Sequence, residues 1–391
     1  MLLRALSILC LLHFSFASFG EEVRIGLFRY YKAKSFHLSI NEGKFQVYAD
    51  SQRCQDVHEG ISYDVYLSGG KLKLLRGVSV IGLFDTIQIK DAKTASSFKI
   101  KLTNPSKPER KYKGGLFLTA TESEIIIVNE VDISDYLAGV IESEGGGGRH
   151  IEYYKVQAIL SRTYVKRNHG RHASEGFQLC DRVHCQAYHH MLQRTPTIYD
   201  AVYATDDEVM VDTNFHLAQG YFHANCGGQT SESHYVWNKA IPYLWSVKDT
   251  FCIKTHQANW TKKISKSSWK SFLVSQYGFP VNDSLYGKYL YNFEPKEREA
   301  FYGDQRLGIP LRDLREKFDL KSTYFSCKPE GDYVVLSGRG FGHGIGLCQE
   351  GAMNMAKAGY TYKQILKFYF QGILIGKYKE FQYFQHADSF E

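Results

Sequence analysis

Two carboxylates close the run Tyr136-Leu137-Ala138-Gly139-Val140-Ile141-Glu142-Ser143-Glu144. In an extended segment Glu142 and Glu144 would share a face and repel. In a helix they diverge, so that one can be buried while the other stays in water. A glutamate whose pKa is raised by burial serves as a general acid at neutral pH. The plainer reading is a helix-start carboxylate favoured by the dipole of the following helix. A second group is Gly338 to Ala352, where glycines at 338, 340, 342, 344 and 346 flank His343. Such a run leaves the backbone open to approach by a ligand; the alternative is a structural glycine turn in which His343 donates to a carbonyl. It has no Gly-Lys-Ser/Thr and no Rossmann-type acidic partner, which argues against a nucleotide loop. The third group is Cys180, His184 and Cys185, with His169, His172, His189 and His190 nearby. Two thiolates and two imidazoles complete a tetrahedral zinc site, with His172 as the chosen fourth ligand and His169 or His189 as replacements. A Cys180–Cys185 disulfide or a plain polar loop competes with that reading.

These residues need elements to hold them. From Val23 to about Thr121, short β-type runs alternate with turns, as in Val23 to Phe28, Phe45 to Tyr48, Tyr63 to Leu67 and Phe98 to Leu102. Leu116 to Thr119 and Ile125 to Asn129 read as a hairpin. Ser134 or Asp135 would cap a short helix, Gly145 to Gly148 interrupt it, and Glu152 to Asn168 form a longer one with Val156, Ile159, Leu160 and Thr163 on one face. Asp207 to Val211, Leu217 to Ala224 and Tyr333 to Leu336 read as strands. Ser267 to Tyr277 and Leu311 to Phe318 read as helices, and Ala352 to Tyr369 as a helix pair divided at Gly359. The expected fold class is α+β: an antiparallel β-rich N-terminal region over 21–111, then a mixed α+β catalytic core over 112–375. The core carries a partly helical insertion at about 251–325, and a tail covers 376–391.

The chain has 391 residues, 43% of them apolar, and 8 prolines, which excludes a disordered or low-complexity protein. Its net charge of +7 is too mild for a nucleic-acid-binding surface, so nucleic acid is not an expected partner. Aromatic residues make up 15%, a composition suited to β-rich folds and to flat, partly polar ligands such as sugars. Ala5 to Phe19 is mostly apolar, follows Arg4 and ends in small residues, so 1–20 reads as a secretory signal peptide. No other stretch approaches transmembrane length. The expected location is therefore exported, periplasmic or wall-associated. Seven of the eight cysteines follow the leader, an odd number, so at least one stays free, binds metal or pairs with another chain.

With these blocks in order, the sequence resembles the stage II sporulation protein D and amidase-enhancer family. Tyr136 to Glu144 is similar to that family's Tyr-Leu-x-Gly-Val-Val-x-x-Glu, and Lys155 to Tyr164 to its Lys-Ala-Gln-Ala-x-Ala-Ala-Arg-Thr-Tyr helix. Gln186 and Tyr188 match a Gln-x-Tyr step. Cys226 to Thr230, Trp237 and Pro242-Tyr243-Leu244 match a middle block, Leu320 to Phe325 a strand, and Gly338 to Ala352 the most specific signature. The match is strong from about Tyr112 to Gly372.

The resemblance implies a peptidoglycan lytic transglycosylase. Glu144 would protonate the glycosidic oxygen between N-acetylmuramic acid and N-acetylglucosamine, and the muramyl sugar's own primary hydroxyl would attack to give an anhydro end. One carboxyl serving as acid and then base suffices, whereas hydrolysis ordinarily uses two. Arg162 would bind the lactyl carboxylate, with Tyr164, Tyr188 and His343 along the groove and Gln157, Gln186, Gly228 and Gln349 also at the substrate. No cofactor is needed for catalysis, and a zinc at His172, Cys180, His184 and Cys185 would be structural. The partners implied are peptidoglycan glycan strands, stripped of stem peptides, and a cell-wall amidase. A non-catalytic wall-binding protein that stimulates an N-acetylmuramoyl-L-alanine amidase is the alternative. Gly145 to Gly148 depart from the family pattern and predict a less rigidly held Glu144.

Overall fold

The computed structural model describes residues 21–92 and 96–387; the leader expected at 1–20 lies outside them. Alternating apolar residues give the N-terminal strands one buried side, as in Lys44–Ala49, where Phe45, Val47 and Ala49 are inside. Among the described residues a seven-stranded sheet runs in the order Leu179–Cys180, Glu22–Leu27, Ile125–Asp132, Gly115–Ala120, Thr86–Asp91, Lys44–Ala49 and Gln52–His58. A six-stranded sheet runs in the order Arg110–Lys113, Ser97–Asn104, Ser35–Glu42, Ser62–Ser68, Lys71–Arg76 and Ser79–Phe84. The two share one core, in which Phe45 of the first meets Phe98 of the second with ring centroids 6.2 Å apart. Leu179–Cys180 joins at the edge, parallel to Glu22–Leu27. It can come this close because residue 26 is glycine; a Cβ there would stand 2.6 Å from the Phe177 ring.

Strand Ile125–Asp132 runs directly into helix α1 (Ile133–Gly145). Its N-cap is Asp132 rather than the expected Ser134 or Asp135. Asp132 still has extended backbone, so its side chain can turn back and accept the Ser134 N–H at 2.8 Å. Asp135 is engaged with Lys113 instead, at 2.8 Å. Helix α2 (Ile151–Asn168) buries the expected Val156, Ile159, Leu160 and Thr163, but also Tyr153, Tyr154, Gln157, Ser161 and Arg162. It is a central helix, contacted by α1, by α3 (Thr197–Ala204) and by the helices Gln349–Lys357 and Tyr362–Tyr369.

The strand expected over Leu217 to Ala224 shortens to Phe222–His223, which pairs in parallel with Leu347–Cys348. The strand expected over Leu320 to Phe325 begins only at Phe325. Ser322 accounts for this, because its hydroxyl donates to the Arg339 carbonyl at 2.6 Å and receives the Trp260 indole N–H at 3.1 Å in place of ladder pairing. A second core, with Trp260, Trp269, Phe293, Tyr302, Leu314 and Leu336 inside, fills the later part of the chain. Its sheet orders Asn259–Ser265, Tyr333–Arg339 and Phe325–Glu330, with helices Lys266–Tyr277 and Leu311–Lys317. This carries the unit past residue 325 to Arg339. Residues Leu374–Lys377 pair with Glu208–Val211, and a helix Tyr378–Ala387 follows. The architecture is α+β. No helix among the described residues is long and apolar enough to cross a membrane.

Candidate functional site

The last turn of α1 carries both carboxylates, and helical geometry sends them apart. Glu142 is buried and structural: it accepts the backbone N–H groups of Gln193 at 2.9 Å and Arg194 at 3.0 Å. Glu144 is half-buried and opens onto a cleft. Its Oε1 accepts the Ala187 N–H at 2.8 Å, while Oε2 makes no hydrogen bond among the described residues. Burial raises its pKa above the ordinary 4.5, outweighing that N–H. Its place at the C-terminal end of a helix acts in the same direction. The helix-start reading therefore does not hold, since α2 begins only at Ile151.

The glycines after Glu144 do not loosen it. The Gly146 N–H bonds the Glu142 carbonyl at 3.2 Å, and the Tyr154 hydroxyl donates to the Gly146 carbonyl at 3.1 Å while accepting the Arg149 N–H at 2.9 Å. On the other side Ser143 Oγ bonds the Gly139 carbonyl at 2.8 Å and receives the His189 N–H at 3.3 Å. The segment is pinned at both flanks.

The cleft has a volume of about 580 Å³. Glu144, Tyr164, Arg171 and Gln186 form one wall, and Tyr221, Trp237 and His343 the other. Trp237 lies 4.3 Å from Tyr221 and 5.5 Å from His343, centroid to centroid. His343 Nδ1 accepts the Ile345 N–H at 3.0 Å, which leaves the ring proton on Nε2. Burial, with the Arg315 and Arg298 charges, pushes its pKa down to about 4, so the ring is neutral. A further hollow of about 570 Å³, with Gln349, Arg149 and Asn354 in its wall, also has Glu144 in its lining. The carboxyl thus stands between two hollows, as a reacting group would along an extended polymer.

The glycines around His343 serve packing, contrary to the expectation of an open backbone. A Cβ on Gly340 would lie 2.5 Å from the Asn225 carbonyl oxygen, and one on Gly346 2.3 Å from that of Tyr221. Both have positive φ, 77° and 68°. Backbone meets backbone there, and His343 is aimed by that contact.

Below Glu144, His172, Cys180, His184 and Cys185 place four ligand atoms within 4.8 Å of one another. Cys185 Sγ is 3.5 Å from His172 Nε2 and 3.8 Å from His184 Nδ1, and Cys180 Sγ is 3.7 Å from His184 Nδ1. Glu175 holds His172 Nδ1 at 2.5 Å, a carboxylate–imidazole arrangement that orients a metal-binding ring. Both cysteines are free thiols. The donor set fits tetrahedral zinc, and the histidine brought in is His172, not His169 or His189.

A family model described as stage II sporulation protein matches residues 121–211, which contain α1, α2, Glu144 and the Cys/His cluster. The chain is 30% identical over 281 residues to an uncharacterized protein of Brachyspira hyodysenteriae, covering 70% of this chain and 75% of that one. It is 29% identical over 277 residues to the stage II sporulation protein D of Bacillus subtilis, covering 67% and 78%. With the amidase enhancer of Bacillus subtilis the identity is 26% over 381 residues, 82% of this chain and 50% of that one. The chain belongs to the stage II sporulation protein D family.

Within this family fold, Glu144, Tyr164, Gln186 and His343 are gathered at the cleft and Gln349 in the adjoining hollow. Four other expected residues are elsewhere. Arg162 is 3% exposed and donates to the carbonyls of Thr205 at 2.7 Å, Val202 at 3.1 Å and Glu208 at 3.1 Å. It ties the end of α3 to α2 and is not among the residues that line the cleft. Tyr188 is a core residue, its hydroxyl bonded to Asn129 Oδ1 at 3.2 Å. Gln157 is buried within α2. Gly228 lies in a separate hollow beside Lys248 and Arg339. The family motifs mark these four for the fold as much as for a ligand.

Residue-type reasoning missed Arg167, Arg171 and Tyr221, and gave Trp237 only as part of a motif, with no place in the site. Arg171 follows α2, where its guanidinium meets the Tyr164 hydroxyl at 3.3 Å and His184 Nε2 at 3.0 Å. The available signal was helical spacing: Tyr164, Arg167, Asn168 and Arg171 recur every three or four residues, and all four line the cleft.

Proposed function

We propose that this chain is an exported peptidoglycan lytic transglycosylase, acting on glycan strands stripped of stem peptides. The observation that carries this reading is the single acid: among the described residues lining the cleft, Glu144 is the only carboxylate. Glu350 borders the adjoining hollow, but its Oε2 is held by Asn225 Nδ2 at 2.6 Å and by the Thr255 hydroxyl. One carboxyl with a raised pKa suits a reaction that needs no activated water.

Protonated Glu144 donates from Oε2 to the bridging glycosidic oxygen while Ala187 holds Oε1. The resulting carboxylate then takes the proton of the muramyl primary hydroxyl as that oxygen attacks the anomeric carbon. The glycosidic bond breaks, the anhydro ring closes, and Glu144 ends protonated as it began. Trp237 and Tyr221 offer faces for sugar rings. His343 stands beside them as a neutral ring in the cleft wall. Arg171 and Arg167 take the part expected of Arg162, pairing with the lactyl carboxylate. The cluster of His172, Cys180, His184 and Cys185 would hold a structural zinc, which fixes the segment ending at Ala187 and enters no chemical step.

A second reading is a non-catalytic enhancer of a wall amidase. It is favoured by the amidase-enhancer relative and by an exposed apolar edge strand in which Val80 and Leu83 are more than half exposed. Mass spectrometry of soluble products from peptide-free glycan strands separates the readings. Anhydro-ended fragments from the wild type but not from Glu144→Gln support the transglycosylase. Reducing ends would make it a hydrolase, and no fragments together with amidase stimulation that survives Glu144→Gln would make it an enhancer.

A further inference from the structure

A different set of side chains converges beneath the glycine-rich segment and takes no part in the groove chemistry. Cys226, Asp249, Cys252 and Cys348 are all buried, and their ligand atoms lie within 4.8 Å of one another. Cys226 Sγ is 3.3 Å from Cys252 Sγ and 3.3 Å from Asp249 Oδ2. Cys348 Sγ accepts the backbone N–H groups of Cys226 at 3.3 Å and Gly351 at 3.4 Å. We propose that Cys226, Cys252, Cys348 and Asp249 form a second, structural metal site that takes one zinc ion in a three-sulfur, one-oxygen tetrahedron.

The donor set carries the argument. Zinc–sulfur bonds of about 2.3 Å put neighbouring donors roughly 3.8 Å apart, a separation the four atoms already approach. Backbone N–H bonds to sulfur stabilise thiolate, the form that binds metal. The carboxylate is oriented as a ligand would be: the Tyr369 hydroxyl donates to Asp249 Oδ2 at 2.8 Å, and the Phe251 N–H to Oδ1 at 2.8 Å. Residue 351 must be glycine, because a Cβ there would meet Tyr369 Oη at 2.2 Å and Asp249 Oδ2 at 2.3 Å. Three thiolates and a carboxylate exceed the charge of one zinc. The buried Arg298 supplies a neighbouring positive charge, with Nη2 on the Cys226 carbonyl at 2.8 Å.

Placement gives the site its purpose. The chain enters the unit built on the second core just after Cys252, with strand Asn259–Ser265, and leaves it at Arg339, shortly before Cys348. One ion would close both ends of that unit onto the Cys226 turn. It would also fix the segment that aims His343 into the cleft. Binding releases the thiol protons and involves no change of oxidation state.

The test uses the full mature chain, purified without chelator, and no activity assay. Zinc is measured by elemental analysis, and thiol accessibility by alkylation and peptide mapping before and after chelation. Cys185→Ser, which disables the His172 cluster, is expected to retain one zinc per chain. Its Cys226, Cys252 and Cys348 should resist alkylation until chelator is added and then react. Adding Cys348→Ser should remove the remaining zinc. If that double variant does not fold, cobalt(II) loaded into Cys185→Ser should give an intense thiolate-to-cobalt charge-transfer band. Folded Cys185→Ser without stoichiometric zinc, or any two of the three cysteines joined as a disulfide, would overturn the proposal.

Discussion

The backbone N–H of Ala187 meets Glu144 Oε1 at 2.8 Å, across 43 residues of sequence. Ala187 stands two residues after Cys185, so the same short segment supplies a thiol to the Cys/His cluster and holds the candidate acid. The cluster and the candidate acid are therefore linked through three residues of backbone.

Glu144→Gln keeps an acceptor for Ala187 but cannot donate and recover a proton. Cleavage of peptide-free glycan strands should fall by roughly 10²- to 10⁴-fold, the range for loss of a general acid. Mass spectrometry of anhydro ends checks this, and full retained cleavage would remove Glu144 from the mechanism.

The pH dependence follows from burial. In the proposed reaction the acid form of Glu144 is the active one, so cleavage should decline as pH rises through a pKa above the ordinary 4.5. The stability term has a definite sign. A carboxyl whose folded pKa is raised favours the folded state fully below its unfolded pKa and loses that contribution as pH rises through the folded value. Denaturant midpoints for wild type and Glu144→Gln should therefore diverge above pH 4.5 in favour of the variant, and equal midpoints across that window would refute the raised pKa.

Arg162 and Arg171 should behave oppositely. Arg162→Met removes a buried guanidinium from the carbonyls of Val202, Thr205 and Glu208 and should cost about 3 kcal/mol of stability, read by urea unfolding. Arg171→Ala should leave the unfolding midpoint within a small margin and weaken binding of muramyl-containing strands by roughly tenfold, the loss of about 1.4 kcal/mol. Unchanged binding in Arg171→Ala would return the lactyl contact to another residue.

Trp237→Ala removes the broadest ring in the cleft wall. A stacking contact of about 1 kcal/mol predicts roughly fivefold weaker binding of glycan strands. Isothermal titration against the Glu144→Gln protein measures this without turnover, and an unchanged affinity would place the sugars elsewhere.

Cys185→Ser should lower zinc content by one equivalent and reduce kcat by as much as about 10²-fold with little change in KM, because a displacement of about 1 Å at Ala187 misaims the acid. Normal kcat in protein lacking that zinc would show that the segment holds Glu144 without a metal.

How far the sequence reached can be judged residue by residue. Alternation in Lys44–Ala49 and helical periodicity in α2 are local signals, set by a chain's need to bury one face, and both elements formed as those patterns require. The choice of Glu144 and of His172, Cys180, His184 and Cys185 rested on motif order and donor chemistry, which are also properties of the one-dimensional chain. Helical rotation decided between the two carboxylates: it turned Glu142 onto the Gln193 and Arg194 N–H groups and left Glu144 facing the cleft. Arg162 escaped reading because a buried arginine and a ligand-binding arginine look alike until the carbonyls of Val202, Thr205 and Glu208 are placed around it. Trp237, Tyr221 and Cys226 with Cys252 and Cys348 were likewise unreadable as groups. Their proximity is made by contacts between segments far apart in the chain, and only the closed tertiary structure determines those distances.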